Sequence, residues 1–149
     1  MSEKIKFNST RFGELEINKD AIINFPVGII GFPDAHEFVM LDYNAPFSWL
    51  HSVDQPNIAF VVVNGAEFGE DYSFDLPYGD KEITLEKDDE IALVNLVTVR
   101  PEVDMTTVNL KAPIIVNMKN RMAKQVVIDN PNLPIRLPIF NSNDTNSNI

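Results

Sequence analysis

Three side chains within four positions have the types that a hydrolytic site uses. His51, Ser52 and Asp54 match the base, nucleophile and orienting acid of a catalytic triad. Neighbouring residues of a strand point to opposite faces of a sheet, however, so His51 and Ser52 are not expected to meet. The pattern GxSxG is absent. We therefore interpret these residues, and His36 in a predicted turn, as structural, and no catalytic residue is predicted.

Acidic side chains raise the question of a metal site. Residues 88–90 (DDE) form a predicted hairpin tip, and Glu70, Asp71 and Asp75 could share a cation. A calcium loop alternates its oxygen ligands around a glycine at a sharp turn, and the spacing here does not match that pattern. The chain has no cysteine, which excludes disulfides and zinc-thiolate sites and favours a reducing compartment. No metal or other cofactor is predicted, and both acidic stretches are interpreted as solvated.

Residues 25–33 (FPVGIIGFP) superficially resemble a phosphate-binding loop. A phosphate cradle leads into the N-terminus of a helix and exposes its backbone N–H groups. Here Val, Ile and Phe flank the glycines, and Pro33 follows. Two interpretations remain open: the loop folds onto the core, or it is offered to a partner.

The net charge of −10 is distributed unevenly. Residues 67–104 carry 12 acidic and three basic side chains, whereas residues 105–149 have a small basic excess. Such a surface repels nucleic acid, whose affinity for proteins comes largely from neutralised phosphates, and it attracts a basic partner. The acidity could also serve solubility alone.

The basic excess near the C-terminus is the one candidate for a nucleic-acid footprint. RNA-binding surfaces usually place aromatic side chains among their basic ones for stacking on bases, and residues 105–139 contain no aromatic residue. We therefore interpret these residues as a charge-balancing edge: Lys111, Lys119, Arg121, Lys124 and Arg136.

The apolar spacing predicts strands throughout. Period-two alternation indicates half-buried strands at 72–76 and 83–85, and apolar runs rich in Val, Ile and Phe indicate buried strands. The remaining predicted strands are 38–41, 58–63, 91–99, 108–110, 114–117 and 125–128, with 118–124 as a loop. Helix is limited to one turn after Pro33, capped by Asp34. The predicted fold is all-β and mainly antiparallel, a small β-barrel in preference to a sandwich.

The length of 149 residues fits one domain. We predict a domain at residues 1–140, monomeric when free, and a disordered polar tail at 141–149 (NSNDTNSNI). The N-terminal residues lack the apolar core of a signal peptide, and the longest apolar run, 58–63, is far shorter than a membrane span. The protein is therefore expected in the cytoplasm, without membrane contact.

The motifs without catalytic meaning occur in an order that resembles a known family. They are FPxGxxGF at 25–32, PFxWLxS at 46–52, AFVV at 59–62, YxFxL at 72–76, VTV at 97–99, TVNLKAPIIVN at 107–117, QVV at 125–127 and IRxPI at 135–139. Together they resemble the FliW family of flagellar assembly factors over residues from about 5 to 140. The segment NLKAPIIVN is the most specific piece. Two departures are the Asn-rich tail and His51, where a polar residue such as Gln is expected.

The resemblance implies a β-barrel-like fold and a cytoplasmic regulator without enzymatic activity. Members of the family bind CsrA, a small dimeric RNA-binding repressor of translation, and block its action on flagellin messenger RNA. They also bind flagellin, and unsecreted flagellin releases CsrA by occupying the regulator. The alternatives are an RNA-binding β-barrel, or a hydrolase that uses carboxylates.

Two surfaces are predicted for these partners. The first is an acidic face that docks a basic-rimmed surface of CsrA, with Phe68 as an apolar anchor: Glu67, Phe68, Glu70, Asp71 and Asp75. The second consists of exposed apolar residues that receive an amphipathic terminal helix of flagellin: Val27, Ile29, Ile30 and Phe32.

Overall fold

The computed structural model describes residues 3–140, so the predicted tail at 141–149 lies outside the described residues. The strands are β1 (Lys4–Ser9), β2 (Gly13–Asn18), β3 (Ile23–Asn24), β4 (Glu37–Asp42), β5 (Phe47–Ser52), β6 (Ala59–Asn64), β7 (Ile91–Thr98), β8 (Thr107–Val108), β9 (Ile114–Asn117), β10 (Met122–Gln125) and β11 (Leu137–Pro138). The helical elements in the described part are short 3-10 turns at Lys19–Ala21, Gly65–Phe68 and Val103–Met105. The prediction of an all-β fold with minimal helix is confirmed.

Seven strands close into a barrel in the order β7–β6–β5–β4–β3–β10–β9, with β9 pairing back to β7. The pairs are antiparallel except β3 with β10, which run parallel through Asn24 and Met122. At the C-terminal end of β7, β8 pairs with β7 through Val97 and Val108, and β11 pairs with β8 through Val108 and Leu137. The predicted closed barrel is confirmed.

The alternation of side chains along each strand fills the barrel. In β9, Ile114 and Val116 lie in the interior cluster, whereas Ile115, between them, packs in a separate cluster outside. All seven strands of the ring contribute to the interior, with the following buried side chains: Ile23, Phe38, Leu50, Val62, Val94, Ile114, Val116 and Ala123. Because most ring strands have apolar residues on both faces, the apolar outer face of the barrel is also covered by other segments of the chain.

Three segments cover the outer face. The β1–β2 hairpin packs Ile5, Phe7 and Ile17 against Val39 of β4. The long connection between β6 and β7 packs over β7, β9 and β10, and the chain around β8 and β11 packs over β6 and β7. The cluster over β7, β9 and β10 contains Phe74, Leu76, Ile83, Leu85 and Ile115. The cluster over β6 and β7 contains Val63, Phe68, Tyr72, Val97, Val108 and Leu137.

Two predicted strands in the connection between β6 and β7 are wrong. Residues 72–76 and 83–85 have the predicted alternation of burial, but neither belongs to a sheet. The backbone of Thr84 has a φ of 46°, a left-handed conformation that breaks an extended segment. The predicted hairpin tip at 88–90 is also wrong: residues 86–89 form a turn closed by Asp89 N–H to the carbonyl of Glu86 at 3.0 Å, and the described residues directly before this turn form no strand to pair with β7.

Other assignments near the strand ends also differ from prediction, including the predicted strand 108–110, which is Thr107–Val108. The last strand of the ring is Met122–Gln125, three residues earlier than predicted, because the reversal after β9 takes only residues 118–121. Residues 126–128 follow it with single backbone hydrogen bonds, such as Ile128 N–H to the carbonyl of Lys111 at 2.8 Å. Asp34 lies in a turn and not in the predicted helical turn.

Candidate functional site

The residues with triad chemistry do not assemble into a triad. Ser52 Oγ donates to Asp54 Oδ1 at 2.9 Å, whereas the ring of His51 points to the other face of the strand. There, His51 Nδ1 lies 2.7 Å from the carbonyl of Ser52, and Nε2 lies 2.7 Å from Ser9 Oγ. Ser9 Oγ also accepts the N–H groups of Arg11 and Phe12. The buried His51 therefore connects the β1–β2 hairpin to the barrel.

Asp54 organises a turn next to this network. Burial raises its pKa, but hydrogen bonds from the backbone N–H groups of His36 and Glu37 and from the Ser52 hydroxyl outweigh that effect and hold the pKa below its usual value. Because its carboxylate accepts these three hydrogen bonds, we assign Asp54 a structural role. Within residues 3–140, no three His, Asp or Glu side chains gather in a way that could hold a metal ion.

The basic residues near the C-terminus are dispersed. Lys111 Nζ donates to the carbonyls of Ile128 and Asn130, Lys124 Nζ pairs with Asp80, Lys119 Nζ lies 4.0 Å from Asp89 Oδ1, and Arg121 Nη2 donates to the carbonyl of Ala21. Four of the five cations are thus engaged separately with different parts of the barrel. This arrangement favours the charge-balancing interpretation over a nucleic-acid footprint.

The acidic segment, residues 67–75, begins in the 3-10 turn that follows β6. Its four acidic side chains are exposed, and none forms an ion pair within the described part of the chain: Glu67, Glu70, Asp71 and Asp75. Phe68 is half-buried, because its ring packs edge-on against Tyr72 at 5.9 Å between centroids. The structure therefore brings the predicted acidic residues together on one exposed segment, and it leaves only part of Phe68 for a partner.

Tyr72 fastens the acidic segment to the barrel. Its hydroxyl donates to the carbonyl of Leu110 at 2.7 Å and accepts from Asn95 Nδ2 at 3.0 Å. Burial of the ring raises the pKa of Tyr72, although the Asn95 bond partly offsets that effect. Asn95 is itself fully buried and also donates to the carbonyl of Asn109. The exposed acidic side chains therefore belong to a segment that Tyr72 attaches to the barrel by two hydrogen bonds.

A second anchor lies further along the same connection. Asp80 Oδ2 accepts from Lys124 Nζ at 2.8 Å, and Asp80 Oδ1 accepts the N–H groups of Glu82 and Ile83. Burial raises the pKa of Asp80, but these bonds outweigh burial, so the pKa lies below its usual value. Asp80 in turn raises the pKa of Lys124. The pair places Ile83 and Leu85 against the outside of the barrel.

Asp80→Asn is expected to lower the free energy of unfolding by about 2 kcal/mol at pH 7, because Lys124 loses a mostly buried charged partner. The lowered pKa of Asp80 makes this contribution present above the unfolded pKa of about 4 and lost as the pH falls through the folded pKa. Urea unfolding of both proteins should therefore show a stability difference that holds from pH 7 to about pH 5 and shrinks at lower pH. A difference that is independent of pH would contradict the role of the ion pair.

The apolar loop, residues 25–33, closes one end of the barrel. Phe25 and Ile29 are buried in the interior cluster, and Phe25 packs edge-on against Phe38 at 5.0 Å between ring centroids. Gly28 has a φ of 70°, and a Cβ there would lie 2.5 Å from the carbonyl oxygen of Phe32, so this tight turn requires glycine. Of the two interpretations of this loop, folding onto the core is therefore correct for Phe25 and Ile29.

The same loop displays three apolar side chains to solvent. Val27, Ile30 and Phe32 are 49%, 60% and 40% exposed. The backbone of Ile30 is held by its N–H bond to Gln125 Oε1 at 3.0 Å. The predicted exposure of Ile29 is wrong: its side chain is 2% exposed, because the loop turns it into the barrel. Three of the four predicted contact residues are therefore available to a partner.

Sequence reasoning missed two concave features. One is a groove on the outer face, beside the start of β5 and the end of β7, where exposed Tyr43, Val99 and Val103 surround the half-buried Phe47. The other is a cavity inside the open end of the barrel, lined in part by Arg121. No sequence pattern indicates either one, because residues distant in the chain form them. In the described residues, no helix is long and apolar enough to span a bilayer.

Comparison with known proteins adds a second line of evidence. A family model described as FliW protein matches residues 6–139. The flagellar assembly factor FliW of Natranaerobius thermophilus is 38% identical over 146 residues, 95% of this chain and 96% of that protein. Its counterpart in Thermoanaerobacter pseudethanolicus is 37% identical over 143 residues, 91% of this chain and 93% of the other. A crystal structure of the flagellar assembly factor FliW is similar with a TM-score of 0.80 and 32% identity, covering 91% of this chain and 97% of that one.

Proposed function

The chain belongs to the FliW family, and on that premise we propose that it is a flagellar assembly factor: a cytoplasmic, non-catalytic regulator that binds CsrA and flagellin in turn. The observation that carries the proposal is the match over nearly the whole length of proteins that bear this name. In this proposal the free protein is a monomer. Binding to CsrA relieves repression of flagellin messenger RNA, and accumulating flagellin displaces CsrA.

The charge of the acidic segment supports a basic partner. Its four carboxylates are exposed and unpaired within residues 3–140, so their field extends into solvent. A repressor that binds RNA must itself carry basic surfaces, because affinity for RNA comes largely from phosphate neutralisation. Attraction between the two surfaces speeds their encounter and sets their orientation. We assign the CsrA-binding surface to this segment, with the exposed part of Phe68 as its apolar contact.

The place of this charge also suggests how RNA is excluded. An acidic surface docked beside the RNA-binding groove of CsrA repels phosphate, which lowers RNA affinity without filling the groove. The anchors at Tyr72 and Asp80 hold the segment in place, so little ordering is needed on binding. Antagonism in this proposal is therefore electrostatic.

The exposed part of the apolar loop is assigned to flagellin. Val27, Ile30 and Phe32 offer apolar contacts to one face of an amphipathic helix. The buried Phe25 and Ile29 fix the loop to the core, so these three side chains are presented on a rigid base. Hydrogen exchange measured with and without flagellin tests this location: the assignment predicts stronger protection at residues 26–33 than around the outer groove. Protection that changes only around Tyr43 and Val103 would move the assignment to the groove.

Isothermal titration with the CsrA dimer of the same organism, with and without flagellin, tests the function. We expect binding to CsrA that flagellin abolishes, because one regulator cannot serve both partners in the proposed switch. Retention on immobilised RNA at physiological salt is the matched control and is expected to be absent. No binding to either protein would contradict the proposal. Binding to RNA itself would favour the RNA-binding barrel, and turnover of an ester or glycoside substrate would favour a carboxylate-dependent hydrolase.

A further inference from the structure

The two ends of the barrel are filled differently. At the end closed by the apolar loop, Phe25 and Phe38 occupy the interior, together with the partly buried Phe60. At the other end, where β6 and β9 finish and β7 begins, the inward residues are smaller, among them Ala92 and Val116. A cavity of about 240 Å³ remains there. A water molecule takes up roughly 30 Å³ in the liquid, so the cavity holds about eight groups of that size.

The lining of this cavity separates into an apolar floor and a polar rim. Val62, Val94 and Val116 belong both to the lining and to the interior cluster, and they form the floor. Ser48, Asn64 and Arg121 supply the polar groups of the lining. Within the described part of the chain, Arg121 is the one charged residue among them. An apolar floor with a few polar groups is typical of small-molecule sites.

Arg121 combines several features that a purely structural residue does not need. Its backbone has a φ of 57°, a conformation that glycine and asparagine adopt more readily than arginine. Its Nη2 donates to the carbonyl of Ala21 at 3.0 Å, which connects the β9–β10 turn to the 3-10 turn before β3. Its Nε is buried and has no hydrogen-bond partner within residues 3–140. A guanidinium that is held by its bond to Ala21 therefore lies in the lining of the cavity.

We propose that this end of the barrel binds a small monocarboxylate with a short apolar chain. The carboxylate accepts a charge-assisted hydrogen bond from the Arg121 guanidinium. The chain lies on the floor formed by the inward valines and Ala92. The apolar loop closes the opposite end of the barrel, whereas the acidic segment begins three residues after Asn64 of the lining and packs on the outside. Binding here is a property separate from the partner switch.

Hexanoate, with eight non-hydrogen atoms, matches the size of the cavity and serves as the probe. Titration followed by two-dimensional NMR of backbone amides is expected to shift the signals of Val62, Val94 and Val116. The neutral 1-hexanol is expected to bind at the same place about tenfold more weakly, because it lacks the charged group. This comparison uses the unaltered protein. No saturable shift with hexanoate, or equal affinity for both compounds, would overturn the proposal.

Two variants locate the site. Arg121→Asn removes the guanidinium and suits the left-handed backbone, so it is expected to weaken hexanoate binding about tenfold and to leave 1-hexanol binding unchanged. Ala92→Leu places a larger side chain in the cavity and is expected to abolish binding of both compounds. Thermal unfolding confirms that each variant is folded. Binding of hexanoate that survives both substitutions in folded protein would place the site elsewhere and overturn the assignment.

Discussion

Phe25→Ala is expected to lower the free energy of unfolding by about 3–5 kcal/mol, the usual cost of truncating a buried phenylalanine. The ring is fully buried at the closed end of the barrel and packs against Phe38. Its backbone N–H donates to the carbonyl of His36 at 2.7 Å, so the loop cannot easily shift to fill the space. Urea unfolding followed by tryptophan fluorescence measures the change as a lower midpoint at an unaltered slope.

Ile30→Ala is the matched control in the same loop. Its side chain is 60% exposed, so the free energy of unfolding is expected to change by about 0.5 kcal/mol or less. Its affinity for flagellin is expected to fall several-fold, because the truncated side chain belongs to the proposed contact surface. Equal destabilisation by Phe25→Ala and Ile30→Ala would contradict the assignment of Phe25 to the core and of Ile30 to the exposed surface. A stable Ile30→Ala protein with full affinity for flagellin would leave the loop with a structural role only.

The sequence predicted the interior of the barrel well, because alternation and apolar runs report burial directly. The predicted strands coincide with β4, β6, β7 and β9 and meet β10 at Gln125, whereas β3 and β5 were not predicted as strands. The same pattern misled at Tyr72, Phe74 and Leu76, which alternate in burial as a strand does. They lie outside a ring that has already closed, so no strand offers its backbone for pairing there. Periodicity therefore identified the buried face but not the hydrogen-bond partner.

The error at β10 has a local cause. A predicted turn is usually marked by glycine, and the reversal after β9 is made by residues 118–121 with arginine in the left-handed position. Without a glycine to mark the turn, the apolar residues 126–128 (VVI) predicted a strand more strongly than residues 122–125 (MAKQ) did. The unusual residue at the turn, Arg121, is also one of the residues that line the open cavity. Local rules thus failed at a position where we infer a function.

The exposure of the candidate surfaces could be predicted only as far as each surface is formed by neighbouring residues of the chain. The acidic segment is contiguous, so charge counting alone located it. The apolar loop is contiguous too, but which of its side chains point outward depends on a turn at Gly28 that the sequence does not reveal. The cavity and the outer groove combine residues from several strands. Their shapes depend on the closure of the barrel, which no single segment encodes.

The double substitution Glu70→Lys and Asp71→Lys is expected to slow association with CsrA at least about tenfold at low ionic strength. It changes the charge of the exposed acidic segment by four units, and long-range attraction of this kind commonly raises association rates by about 10–10³-fold. The dissociation rate should change much less, since exposed charges act mainly on encounter. Stopped-flow or surface-plasmon measurements over a range of salt concentrations are expected to show a flatter salt dependence than in the unaltered protein, because screening has less attraction left to weaken.

Glu14→Lys with Glu16→Lys makes the same change of charge on the β1–β2 hairpin, where both side chains are exposed. That hairpin covers β4, away from the acidic segment, so a general effect of net charge would slow association equally in both double variants. A local docking surface instead predicts a marked loss only for the pair at 70 and 71. If both pairs slow association to the same extent, net charge alone steers CsrA. If the pair at 70 and 71 leaves the kinetics unchanged, the acidic segment is not the surface that CsrA meets.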